Sequence, residues 1–158
     1  MISAYLPFSG ADYNLKLIDE LKKTNFIDKI FLLVQDENYV APSDCEKIVV
    51  ENLTSSKTIN KILESANTKF VLLFTQDNHF ELGQFAIERF YNVISSTNVA
   101  MVYSNFISIK ENNVEKHPVN DYQFGSLRDD FDFGYLIMFN KDYVEKLEDD
   151  EEYLYAGF

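Results

Sequence analysis

The sequence predicts an α/β domain with a mostly parallel central sheet flanked by helices, and three observations carry that expectation. Two unbroken apolar runs, Ile30-Phe-Leu-Leu-Val34 and Phe70-Val-Leu-Leu-Phe74, have the character of strands covered on both faces. Amphipathic stretches alternate with the apolar runs, the order of a sheet wrapped by helices. Late in the chain the style changes: Asn112-Asn113 sits between two short segments and reads as the turn of an antiparallel hairpin. A length of 158 residues suits one domain, since single cores usually serve roughly 100–200 residues.

Taken in order, Ile2 to Leu6 forms the first strand. After the turn residues Pro7, Ser9 and Gly10, Asp12 is placed to cap a helix whose Leu17, Ile18 and Leu21 face inward and which ends near Asn25. Ile30–Val34 is the second strand, and a turn-rich loop from Asp36 to Asp44 leads to a third at Lys47–Val50. Ile59, Ile62, Leu63 and Ala66 fall at i, i+3, i+4 and i+7, a helix capped by Ser55 or Ser56. Phe70–Phe74 follows as a central strand, closed by the polar run Thr75-Gln-Asp-Asn-His79. A long helix then carries Leu82, Phe85, Ala86, Phe90, Val93 and Ile94 on one face, and Val99–Tyr103 returns to the sheet. Phe106–Lys110 and Val114–His117 form the hairpin, a polar stretch runs from Asn120 to Asp132, and Tyr135–Phe139 precedes a short helix from Lys141 to Leu147.

With 46% apolar and 15% aromatic residues the chain can fill a core, which outweighs a formal charge of −12 as an indicator of order. That charge repels a phosphate backbone, and no cluster of cations offsets it, so nucleic acid is excluded as a partner. Cys45 is the lone cysteine and has no internal disulfide partner, which points to a reducing compartment. The amino terminus lacks the basic head and apolar run of a secretory signal, and no segment approaches the roughly 20 apolar residues of a membrane span. A cytoplasmic protein without a membrane span is the expectation.

Ligands of open α/β sheets bind beyond the carboxyl ends of the strands. Those ends carry Pro7-Phe8-Ser9, Gln35-Asp36-Glu37 and Thr75-Gln76-Asp77-Asn78. Carboxylates on two neighbouring ends can serve a nucleotide, one accepting from base or ribose donors and the other binding a divalent cation that neutralises phosphate. Asp36 suits the first role and Asp77 the second; the plain alternatives are a turn-closing carboxylate for Asp36 and a helix cap for Asp77. His79 beside Asp77 is a weak metal signal and reads better as a solvent-facing imidazole, while His117 sits on the presumed hairpin with no obvious acidic or cysteine partner nearby in sequence. Asp129, Asp130 and Asp132 do not complete a calcium loop and read as a solvated turn. Neither a Gly-rich phosphate loop nor a serine nucleophile elbow is present.

The order of these pieces resembles a family 2 glycosyltransferase of the Rossmann-like GT-A fold over nearly the whole chain. Ile30-Phe-Leu-Leu-Val-Gln-Asp36 looks like that family's second strand with its acidic pair, Gln35 standing for the first acid. Phe70-Val-Leu-Leu-Phe-Thr-Gln-Asp-Asn78 looks like its metal-binding strand end, with Asp77 at the ligating acid and Thr75 at the other. Asn60 matches the family's Arg-Asn pair, whereas Ile59 stands at the Arg. Val102-Tyr-Ser-Asn105 with the hairpin, and Gly134-Tyr-Leu-Ile-Met-Phe-Asn-Lys141, are similar to later family segments.

The resemblance implies a nucleotide-binding half over residues 1–105 and a partial acceptor-side half over 106–158. It implies Pro7, Phe8, Asp36, Asn60 and Gln76 at the nucleotide and Asp77 on Mn or Mg. The donor would be a nucleotide-sugar, a UDP-sugar above all, and the acceptor a saccharide hydroxyl. The family's catalytic base follows a stretch similar to Tyr153-Leu-Tyr-Ala-Gly-Phe158, so no base is assigned here; the acids of Glu148–Glu152 read as a solvated turn. The chain is therefore expected to be a truncated transferase or a domain that has lost catalysis. Rivals are a non-catalytic interaction module on the same scaffold and a nucleotidyltransferase. The latter needs a basic, Gly-rich first loop that Pro7-Phe8-Ser9-Gly10-Ala11 lacks.

Overall fold

A computed structural model of the chain describes residues 1–111, 113–119 and 131–145. In chain order the elements are β1 (Ile2–Pro7), α1 (Asp12–Lys22), β2 (Ile27–Val34), β3 (Cys45–Val49), α2 (Ser56–Ser65), β4 (Phe70–Phe74), α3 (Ala86–Thr97), β5 (Met101–Val102), β6 (Phe106–Lys110), β7 (Asn113–His117), β8 (Leu136–Asn140) and α4 (Lys141–Val144). The main sheet runs β3-β2-β1-β4-β8-β5. β1 to β4 are mutually parallel, and β8 runs against both β4 and β5. The mixed α/β architecture expected from the sequence is thus present, with a six-stranded, mostly parallel sheet.

The two apolar runs resolve into two faces. Ile30, Leu32 and Val34 join Phe70, Leu72 and Phe74 on the face covered by α1 and α3, through Leu17, Ile18, Leu21, Ile87, Phe90 and Ile94. Phe31, Leu33, Val71 and Leu73 lie on the other face beneath Ile62 of α2 and Ala66 at its C-cap. Alternation within an unbroken apolar run is what a strand buried on both sides requires. Full burial of each such side chain contributes about 1.5–3 kcal/mol. On the α2 face Tyr5 stacks on Phe31 with ring centroids 4.6 Å apart, and its hydroxyl donates to Ile62 O at 3.1 Å beside Ser65 Oγ at 3.0 Å.

Several elements differ from expectation for local reasons. Ala11, not Asp12, is the N-cap of α1, and the Asn14 side chain reaches back to the Ala11 amide at 3.2 Å. β3 starts at Cys45, whose thiol lies on the sheet's edge strand with its pKa raised by burial. Ser55 caps α2 as expected, accepting from the Thr58 amide at 3.3 Å. The helix after β4 begins only at Ala86, because Phe85 sits in the left-handed region at φ 57° and is 64% exposed. Its buried stripe is Ile87, Phe90 and Ile94, so Phe85 and Val93 do not face the core. β5 shrinks to two residues. In the hairpin Lys110 pairs with Asn113, which puts Asn113 in the strand and gives the positive φ of 47° to Glu111; Asn112 lies outside the described residues. So do residues 120–130 and 146–158, and with them Asp129, Asp130, Glu148–Glu152 and Tyr153–Phe158. Among the described residues no helix is long and apolar enough to cross a membrane.

Burial pushes the Tyr5 phenol up from 10.0 to about 12, partly offset by its bond to Ser65. The folded state therefore favours the neutral phenol, and this contribution is fully present below pH 10 and lost as pH rises toward 12. Tyr5→Phe is expected to cost about 1 kcal/mol at neutral pH, through the lost hydroxyl bonds. Urea unfolding should also show that the wild-type advantage over Tyr5→Phe shrinks across that alkaline window.

Candidate functional site at the strand ends

From β1 the chain moves outward through β2 to β3 and then returns to β4 on the opposite side of β1. Such a reversal of strand order marks the usual ligand position in an open α/β sheet, the crevice expected outside the carboxyl ends of β1 and β4. The tips carrying Gln35-Asp36 and Thr75-Gln76-Asp77 therefore lie on either side of the β1 tip, not at opposite edges of the sheet. Asp77, three residues past β4, is half-buried and not sealed in the interior.

The β1 tip is organised by a residue the sequence reading did not single out. Asn14 is 2% exposed, although it belongs to the first turn of α1. Its Oδ1 accepts from Ser9 N, Ser9 Oγ and Ala11 N, each at 3.2 Å. Its Nδ2 donates to Asp77 Oδ1 at 2.8 Å and makes a longer 3.5 Å contact with Pro7 O. A buried amide is costly unless its donors and acceptors are filled, and these contacts fill them. Tyr13 adds a 3.5 Å contact from its hydroxyl to Asp77 O. A signal for Asn14 was present: with Leu17, Ile18 and Leu21 it occupies i, i+3, i+4 and i+7, a polar residue at the head of the buried stripe.

The β2 tip is tied down by local bonds. Gln35 Nε2 donates to Glu51 O at 3.0 Å, and Asp36 Oδ1 accepts from both Asn38 N and Asn38 Nδ2 at 2.9 Å. Asp36 is therefore a turn-closing carboxylate, the plain alternative for it, with its second oxygen unengaged among the described residues. The turn presents Tyr39, whose hydroxyl donates to Ser9 O and whose ring meets Phe8 edge-on at 5.9 Å. Lys47 holds the same loop by donating to Glu37 O and to Tyr39 O. Tyr39, Ser9, Asn14 and Asp77 thus form a continuous hydrogen-bonded path across the tips of β2, β1 and β4. Neither Tyr39 nor Ser9 carried a sequence signal beyond its place in a turn.

The remaining expected site residues are distributed unevenly. Pro7 and Phe8 are buried, Phe8 within the core on the α1 and α3 face, where the edge contact with Tyr39 is its link to the β2 turn. Gln76 is exposed and accepts from Asn78 Nδ2 at 2.8 Å. Asn60 lies on the exposed face of α2, and no hydrogen bond among the described residues brings it to the crevice, while Ile59 packs against the second core. His79 is exposed, with Nε2 4.0 Å from Glu81 Oε1. Asp77 does not cap α3, whose N-cap is Phe85.

Among the described residues no three His, Cys, Asp or Glu side chains converge as a cation cage. A hard cation such as Mg or Mn is commonly held by only one or two carboxylates together with substrate phosphates. The Asp77 carboxylate, with Oδ1 engaged by a neutral amide and Oδ2 without a partner among the described residues, fits that smaller requirement.

Gly10 has a φ of +81°, and a Cβ there would lie 3.2 Å from Tyr39 Cε1, whereas a Cβ at Gly83 would meet nothing within 4 Å. Gly10→Ala is expected to cost roughly 1–2 kcal/mol from the left-handed backbone alone, while Gly83→Ala changes stability by less than about 1 kcal/mol. Paired denaturant titrations check both. In comparisons with known proteins, no family model and no curated protein matches the chain.

Proposed function

We propose that this chain is the donor-binding domain of a glycosyltransferase of the GT-A type, which takes a nucleotide-sugar such as a UDP-sugar and passes its sugar to a saccharide hydroxyl. The observation that carries the reading is the Asp77 carboxylate at the switch of strand order, half-buried and oriented by Asn14. A divalent cation, Mn or Mg, held at that carboxylate would offset charge on the departing nucleoside diphosphate.

The chain's own residues have separable tasks in this reading. Asp77 supplies an anionic oxygen at the diphosphate position. The second oxygen of Asp36 accepts from base or ribose donors, and Gln76 offers an exposed amide one residue before Asp77. Pro7 and Phe8 give the nucleoside a rigid floor, and Tyr39, anchored on Ser9, bounds the crevice on the β2 side. Asn60 is the weakest member of the set, since it faces solvent on α2. No catalytic base is assigned, because in the family this chain resembles the base follows the stretch similar to Tyr153–Phe158. The single Cys45 supports placement in the reducing cytoplasm.

A second reading, a non-catalytic interaction module on the same scaffold, draws support from one specific pattern. Asp36 is engaged by Asn38 and Gln35 by Glu51 O, while Thr75 and Ile59 stand where the resemblance would put an acid and an arginine. Calorimetry with uridine diphosphate separates the two. The transferase reading expects heat that depends on Mn and falls at least about tenfold in affinity, about 1.4 kcal/mol, in Asp77→Asn. Binding that ignores both changes removes the cation role, and no binding under either condition favours the module.

A further inference from the structure

Asn14 occupies a position where helix geometry would place an aliphatic side chain, and it is 2% exposed there. Three donors, Ser9 N, Ser9 Oγ and Ala11 N, converge on its Oδ1. That convergence fixes which end of the amide is oxygen and so fixes the direction of Nδ2. Nδ2 then meets Asp77 Oδ1 at 2.8 Å, across 63 residues of sequence. We propose that Asn14 is the positioning residue of the Asp77 site: it holds one carboxylate oxygen and leaves the other for the cation that accompanies a nucleoside diphosphate. The inference rests on the donor-binding reading of the crevice.

The choice of residue type is what gives the contact functional content. A lysine or arginine in this place would bind Asp77 as an ion pair and compete with any cation for it. A neutral amide orients the carboxylate while leaving its charge uncompensated. Partners of this kind, hydrogen-bonded to a ligating carboxylate, commonly govern cation affinity. With Thr75 in place of a second acid, the orientation of this single carboxylate matters more than in a two-acid site. Tyr39 and Ser9 reinforce the arrangement from the β2 side, because Ser9 is held by both Tyr39 and Asn14.

Asn14→Asp tests the placement directly. The substitution keeps the oxygen that accepts from Ser9 and Ala11 but replaces the donor facing Asp77 with a second anionic oxygen. Titration of the whole chain with Mn alone is expected to show affinity raised roughly tenfold or more, as two carboxylates chelate where one did before. Adding Asp77→Asn to that variant should return the affinity to the wild-type level. Unchanged Mn affinity in a folded Asn14→Asp overturns the proposal, whatever the nucleotide measurements give. Asn14→Thr provides a second route, since its hydroxyl can accept from the Ala11 amide but is too short to reach Asp77. Its Mn-dependent affinity for uridine diphosphate should fall roughly 10- to 100-fold, and a folded Asn14→Thr that retains wild-type cation dependence also overturns it. If Asn14→Asp gains Mn affinity while the wild type shows no Mn-dependent nucleotide binding, the donor-binding reading fails and the hold of Asn14 on Asp77 stands.

Discussion

The hydrogen bond between Asn14 and Asp77 joins two parts of the chain that the sheet alone leaves independent. β1 and β4 are paired along their length, but their exits diverge, one into α1 and the other into the long loop before α3. The Asn14 amide closes that divergence at 2.8 Å from the carboxylate. A neutral donor to a carboxylate acceptor, partly buried, is stronger than an ordinary surface hydrogen bond. Its geometry is held by the tight turn around Gly10, so turn, helix start and strand end are fixed together.

The sheet beneath makes this possible. β1 is buried on both faces and flanked by parallel partners, so the tips of three neighbouring strands open on the same side. Each tip then meets the next through a side chain that its own loop supplies: Tyr39 from β2 to β1, and Asn14 from the β1 exit to β4. The three strand tips are bonded to one another, which limits how far the Asp77 carboxylate can move.

Much of the fold was legible because its main signal is burial. The runs Ile30–Val34 and Phe70–Phe74 could scarcely be anything other than central strands, and Ser55 with Ile59 and Ile62 marked α2. Boundaries set by backbone conformation were less visible. Nothing in the residue type of Phe85 announces a left-handed φ, and so α3 starts later, with its buried stripe rotated to Ile87, Phe90 and Ile94. In the site, Asp77 and Asp36 stood out as acids at strand ends, but their partners did not. Asn14 and Tyr39 act across long separations in sequence, and such contacts are set by topology more than by local pattern. Asn14 left a trace only as a polar residue interrupting an apolar stripe.

The inverted course of β8 bears on the rim beside Asp77. Because β8 runs against β4 while β5 runs with it, the excursion from Tyr103 to Tyr135 both departs from and returns to the same rim of the sheet that carries Asp77. Residues added to or removed from that excursion outside β6 and β7 leave the register of the main sheet unchanged. The rim beside Asp77 can thus change in length without disturbing the strands that support it.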